Sequence, residues 1–126
     1  MDTLNAPGAP AAVGPYSHAV RAGGLLFCSG QVALDPETNT FLDGDVTAQT
    51  RLVFANIRAV LAEAGVGLGD VVKATVFLQT MDDFAAMNAV YAEAFGDHRP
   101  ARSTVAVVGL PVGARVEIEV IADVSA

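Results

Sequence analysis

Arg115-Val116-Glu117-Ile118-Glu119-Val120-Ile121-Ala122-Asp123-Val124 alternates apolar and polar residues along most of its length. Side chains on a strand point to opposite faces with a period of two, so Val116, Ile118, Val120, Ala122 and Val124 share one face, and Arg115, Glu117, Glu119, Ile121 and Asp123 share the other. The first face needs cover. Residues 45–64 supply a helix for it: Asp45 can cap the start, and Gln49, Leu52, Val53, Asn56, Ile57, Val60, Leu61 and Ala64 recur at helical spacing before Gly65 ends it. Asn56, inside that apolar stripe, reads as a satisfied buried amide. The second face, with its two glutamates, is left bare or given to a partner subunit.

Residues 71–79 return to strand character, with Val72, Ala74, Val76 and Leu78 alternating against Lys73, Thr75 and Gln79. Thr80 with Asp83 resembles a capping box opening a second helix through about residue 95, whose inner face is Phe84, Met87, Tyr91, Ala94 and Phe95. That stripe is core packing. Residues 17–22 and 25–32 read as strands joined at Gly23-Gly24, a hairpin signal. Asp35-Pro36-Glu37-Thr38-Asn39 is turn chemistry, and Phe41-Leu42 a short edge piece. Residues 103–108 make a further strand, and residues 1–13, rich in Ala, Pro and Gly, an irregular leader. The order ββ(β)αβαββ specifies an α+β sandwich, a mixed sheet with two helices on one face, in one domain over residues 1–126.

Composition narrows the function. The chain is 52% hydrophobic and only 17% charged, with mean hydropathy +0.45. No stretch approaches the roughly 18 unbroken apolar residues of a membrane span, so the excess apolar surface is expected to face another copy of the chain. A net charge of −7 opposes phosphate backbones, and seven scattered basic residues, of which Lys73 is the only lysine, draw no basic patch. Nucleic acid is disfavoured. Cys28 is the only cysteine, which excludes an intrachain disulfide, and its apolar run reads it as a buried small hydrophobe. The N-terminus lacks the basic and apolar regions of a signal peptide, which points to the cytoplasm.

His18 and His98 are the only histidines, and neither has a patterned Ser or Cys partner or metal-ligand spacing. The glycines match neither a dinucleotide nor a P-loop pattern. What remains is a set without a strong nucleophile: Arg102, Glu117, Tyr16, Ser29 and the backbone around Gly30 and Thr104. Pro100 biases Arg99 toward extended geometry, so Arg102 sits at the mouth of a rigid strand. Held there, its planar guanidinium can grip a carboxylate through two parallel hydrogen bonds, or pair with an acidic neighbour on the surface.

Gly14-Pro15-Tyr16-Ser17, Cys28-Ser29-Gly30-Gln31, Asn88-Ala89-Val90-Tyr91, Pro100-Ala101-Arg102-Ser103 and Val116-Glu117-Ile118-Glu119 occur in this order. Together they resemble the RidA (YjgF) family of reactive-intermediate deaminases, over essentially the whole chain from about residue 5 to 124. The resemblance implies a chorismate-mutase-like α+β fold and a homotrimer with active sites between subunits. It implies hydrolysis of enamines and imines such as 2-aminoacrylate and 2-iminobutanoate to 2-keto acids and ammonia, with no cofactor and no metal. Arg102 would then clamp the substrate carboxylate, Glu117 would orient the attacking water, and Tyr16 would complete the catalytic set. Ser29, Gly30, Thr104 and Asn88 would line the substrate pocket. Glu119 is left for an ion pair with Arg115 or a neighbouring subunit.

Two positions depart from the family pattern. Thr104 stands where many relatives carry Cys, at a place whose role belongs mainly to the backbone carbonyl. His18 follows Ser17 where Gln is frequent, and reads as a rim or surface histidine. Two other functions compete: an RNA-cleaving or translation-inhibiting protein, and a non-enzymatic trimer that binds metabolites or acts as a chaperone.

Overall fold

The computed structural model describes residues 1–125, which run β1 (Asp2–Leu4), β2 (Ala19–Ala22), β3 (Leu25–Cys28), α1 (Val46–Glu63), β4 (Val71–Leu78), α2 (Phe84–Phe95), β5 (Ala101–Ala106) and β6 (Val116–Asp123). One sheet holds all six strands in the order β1-β2-β3-β6-β4-β5. Only β4 and β5 pair in parallel, and α2 makes the crossover between them. The expected α+β architecture is thus the observed one. No helix among the described residues is long and apolar enough to cross a membrane.

Alternation in β6 works as anticipated: Val116, Ile118, Val120 and Ala122 are buried against the helices. They meet Val53, Phe54, Ile57 and Leu61 of α1 and Met87, Tyr91 and Phe95 of α2 in one core cluster. Phe54, Tyr91 and Phe95 pack edge-on and tilted, with ring centroids 4.7–5.8 Å apart, and so lock α1 to α2. Asp45 caps α1 by accepting from the Ala48 N–H at 2.8 Å. At the other end Gly65 takes φ +77° while the Val66 and Gly65 N–H groups donate to Leu61 and Ala62, a Schellman stop. Asn56 is the satisfied amide expected, donating to the Leu34 carbonyl at 2.9 Å.

Several expectations need correction. The leader is not wholly irregular, because Asp2–Leu4 pairs with β2 as an edge strand. His18 is not on the rim: it is 4% exposed and pins the segment after β1. Its Nδ1 accepts from the Ala6 N–H at 2.9 Å, which requires that nitrogen to be unprotonated, and Nε2 lies 2.7 Å from the Pro10 carbonyl and donates to it. Thr80 and Asp83 form no capping box for α2. Thr80 accepts from the Asp82 N–H and caps a 3₁₀ turn at Met81–Asp83, and the α-helix begins one residue later. Val72 is exposed, since a bulge between Val71 and Lys73 resets the alternation of β4. The strand expected over residues 25–32 stops at Cys28, beyond which only Gln31 bridges to Ile118. Phe41 contributes a single bridge to Leu34. Cys28 is partly buried, and desolvation pushes its thiol up to about 12, which leaves it unreactive.

The two bonds of His18 are the main tie between residues 5–13 and the sheet. His18→Ala should lower stability by ~1–3 kcal/mol, because it strands buried partners, and should expose residues 5–13 to limited proteolysis. A variant with unchanged melting temperature and unchanged cleavage would show that the leader is held by packing alone.

Candidate functional site

Residues opposite one another on neighbouring strands share a face of the sheet. Arg102 pairs with Ala74 and Thr104 with Val76, both buried beneath the helices, so Arg102 and Thr104 belong to the helix-covered face. Glu117 pairs with Phe77 and Glu119 with Thr75, on the opposite, uncovered face. The candidate residues therefore divide into two groups with the sheet between them.

Arg102 leads the first group. Its Nη1 donates to Asn88 Oδ1 at 2.6 Å, and its guanidinium lies 4.6 Å from the ring centre of Tyr91 and 5.6 Å from that of Phe84. One hydrogen bond and two aromatic faces hold it without neutralising it. Among the described residues no carboxylate lies within 4 Å of it, so it forms no ion pair within its own chain. A cavity of about 420 Å³ opens beside it, lined by Asn88, Tyr91, Ala92, Phe95, Arg99, Pro100 and Arg102. Asn88 and Tyr91 stand three residues apart on α2 and so share a helix face. Thr104 is half-buried, with its hydroxyl oxygen buried and unpartnered.

The second group lines a cavity of about 540 Å³ that includes Tyr16, Ser29, Gly30, Val112, Glu117 and Glu119. Tyr16 is half exposed at its edge. Ser29 spends its hydroxyl on the Ser17 carbonyl at 2.7 Å, and its N–H donates to the His18 carbonyl, so it fixes the loop that carries Tyr16. Gly30 lies close against the Glu117 side chain. A methyl group there would come within 2.8 Å of the Glu117 carboxyl carbon, and closer still to Oε2. Burial pushes the Glu117 carboxyl up from its ordinary value, and the negative charge of Glu119 adds to the shift. A carboxyl in this setting holds a proton more readily than one in water and can take or return it during a reaction.

Arg115 does not pair with Glu119. Its Nε donates to the Gly44 carbonyl at 3.1 Å and its Nη1 lies 3.9 Å from Asp83. The buried amide of Gln49 sets this: it accepts from the Arg115 N–H at 2.9 Å and donates to the Leu42 and Gly44 carbonyls, so the start of β6 is tied to the loop before α1. Val112 holds φ +53° at the edge of the same cavity, a strained position for a β-branched residue. Sequence reasoning took Tyr91 as core only and missed its second role as the platform under Arg102. The signal was available in the Asn88–Tyr91 spacing.

The family model described as Endoribonuclease L-PSP matches residues 6–124. A RutC family protein of Pyrococcus horikoshii is 52% identical over 114 residues, covering 90% of each chain. The 2-iminobutanoate/2-iminopropanoate deaminase of Salmonella typhimurium is 43% identical over 123 residues, covering 95% of each. Among solved structures, RidA from an Antarctic Psychrobacter superposes with a TM-score of 0.93 at 44% identity, over 98% of this chain and 99% of that one.

Two measurements check the Glu117 environment. A carboxyl whose value is raised by folding destabilises the fold while it is ionised, and the penalty disappears once the pH is below the unfolded value, about 4.3. Glu117→Gln should therefore raise the melting temperature at pH 7, with a gain that shrinks to nothing below about pH 4. The contact with Gly30 is tested by a double-mutant cycle. Gly30→Ala should cost ~1–3 kcal/mol, and most of that loss should return when Glu117→Ala is added, since the clash is with this side chain. Additive losses would place the strain elsewhere.

Proposed function

This chain belongs to the Endoribonuclease L-PSP family, the RidA/YjgF proteins, and on that premise we propose that it hydrolyses small 2-imino and 2-enamino acids, of the 2-aminoacrylate and 2-iminobutanoate kind, to 2-keto acids and ammonia. The observation that carries this reading is Arg102: a guanidinium fixed by Asn88 and Tyr91 at the edge of a cavity, with no carboxylate of its own chain within 4 Å among the described residues. The substrate carboxylate is its natural partner, in a charge-assisted contact contributing about 1.5–3 kcal/mol.

An enamine first takes a proton at C3 to become the imine. Water then adds to C2, its oxygen bonding to that carbon while the C=N π electrons take a proton on nitrogen. The resulting carbinolamine breaks its C–N bond, ammonia leaves, and the hydroxyl oxygen becomes the keto oxygen. C2 is already electrophilic, so the protein contributes orientation more than basicity. Glu117, with its raised carboxyl, accepts the proton of the attacking water and returns it to the departing nitrogen. Tyr16, Ser29 and Gly30 line the wall around Glu117, and Asn88 and the Thr104 backbone the wall around Arg102. No step calls for a cofactor.

Arg102 and Glu117 lie on opposite faces, so this reading needs a second copy of the chain. A homotrimer in which Arg102 of one copy meets Glu117 of the next fulfils it. The uncovered sheet face favours such an assembly, since it carries Phe27 and Val105, both more than 40% exposed. The charge of −7 disfavours the RNA-cleaving alternative, and the reading sites the protein in the cytoplasm.

The test is ammonia release from freshly generated 2-aminoacrylate, with RNA incubated in parallel. Arg102→Ala, Arg102→Lys and Glu117→Gln should each lose nearly all turnover, the lysine variant because a point charge lacks the planar fork. Refolding Arg102→Ala and Glu117→Gln together in equal amounts should restore about a quarter of the sites of a wild-type trimer, if each site draws the two residues from adjacent copies. No recovery would mean that both groups act within one copy.

A further inference from the structure

We infer that the Arg102 cavity is built for imino acids that carry a second carboxylate, and that Arg99 receives it. This rests on the deaminase reading above and narrows its substrate class. Arg99 and Arg102 line the same cavity of about 420 Å³. Among the described residues Arg51 and Arg115 each have a carboxylate within 4 Å and Arg21, Arg58, Arg99 and Arg102 have none; of these four only Arg99 and Arg102 line one cavity together. Two unneutralised guanidinium groups facing one space in an acidic protein form a site for an anion with two charged ends.

Arg99 is also held in place. Its Nη1 donates to the carbonyls of Gly96 and His98 at the C-terminal end of α2, where the helix dipole favours a cation. Arg99 is exposed, and its other N–H groups have no acceptor among the described residues, so a ligand in the cavity can take them. The positive φ of Gly96, +62°, turns the chain so that these carbonyls and Arg99 come together. Pro100 then separates Arg99 from the strand that carries Arg102.

Tyr91 lines the same cavity as the two arginines. It is 7% exposed, and its hydroxyl has no hydrogen-bond partner. Burial pushes the phenol up, the charges of Arg102 and Arg99 oppose that shift, and Arg102 lies 4.6 Å from the ring centre. A monocarboxylic imine would engage Arg102 and leave Arg99 facing an apolar side chain. A dicarboxylic imine would offer a carboxylate to each.

The experiment compares two four-carbon substrates generated in place, the dicarboxylic imine 2-iminosuccinate and the monocarboxylic 2-iminobutanoate, on wild type and Arg99→Gln. Calorimetry with the matching keto acids, oxaloacetate and 2-oxobutanoate, is run beside it. Wild type should favour the dicarboxylic imine in kcat/KM by about tenfold or more, and Arg99→Gln should reduce that ratio by about tenfold. Oxaloacetate affinity should fall with it. Wild-type preference for 2-iminobutanoate, or a ratio unchanged in Arg99→Gln, overturns the inference and leaves the deaminase reading standing. Arg99-dependent binding of oxaloacetate without hydrolysis of either imine supports the ligand class and overturns the deaminase reading instead.

Discussion

The alternation of β6 is the constraint from which the rest of the molecule follows. It is an inner strand of the sheet, between β3 and β4, and four of its side chains are buried against two helices. A slip of one residue in its pairing would send those apolar groups to the uncovered face and drive Glu117 and Glu119 into the core, so the register is strongly specified. That register fixes β4, and β4 in turn fixes β5 through their parallel ladder. Arg102 and Thr104 are thereby committed to the helix side, and Glu117 to the other. The Gln49 amide reinforces this from the end of the strand, holding the Arg115 backbone to the loop before α1.

Separating Arg102 from Glu117 within one chain has an electrostatic consequence as well. A free arginine and a partly buried glutamate within reach of each other would form an ion pair, and the carboxyl would fall below its ordinary value. Here the opposite holds: Glu117 is desolvated beside another carboxylate and Arg102 rests on neutral partners. Within one copy the sheet keeps the two apart, so neither is spent on the other before a second copy brings an Arg102 to a Glu117. The missing side chain at Gly30 leaves the Glu117 carboxyl its present place against the loop.

What was legible in the sequence was what obeys a period or a cap. Both helices, the Gly23-Gly24 hairpin and the two faces of β6 follow from spacing, and the structure has Gly23 and Gly24 at φ +59° and +80°, as such a turn needs. Local signals failed where a distant group decides. Nothing in Ser17-His18-Ala19 says that Ala6 and Pro10 will close over the imidazole, and so a buried residue looked like a surface one. The bulge at Val71 and Lys73 is set by pairing with β6, and it displaced Val72 from the core. The pattern named Arg102 and Glu117 as candidates but carried no statement of which strand faces which, and that depends on the ladder alone. Arg99 was passed over because a residue before proline reads as a spacer.

On the deaminase reading proposed above, two half-sites that face away from each other make function a property of association. A dilute solution of correctly folded single chains would contain every chemical group and no complete cavity. Specific activity would then depend on protein concentration, falling steeply below the point where copies separate, while the far-ultraviolet spectrum of the fold stayed the same. In a cell carrying two alleles, a copy lacking Arg102 would disable the cavity it contributes that wall to, yet still supply a sound Glu117 wall to the neighbour on its other side. Damage would spread by position in the ring and not by copy number alone.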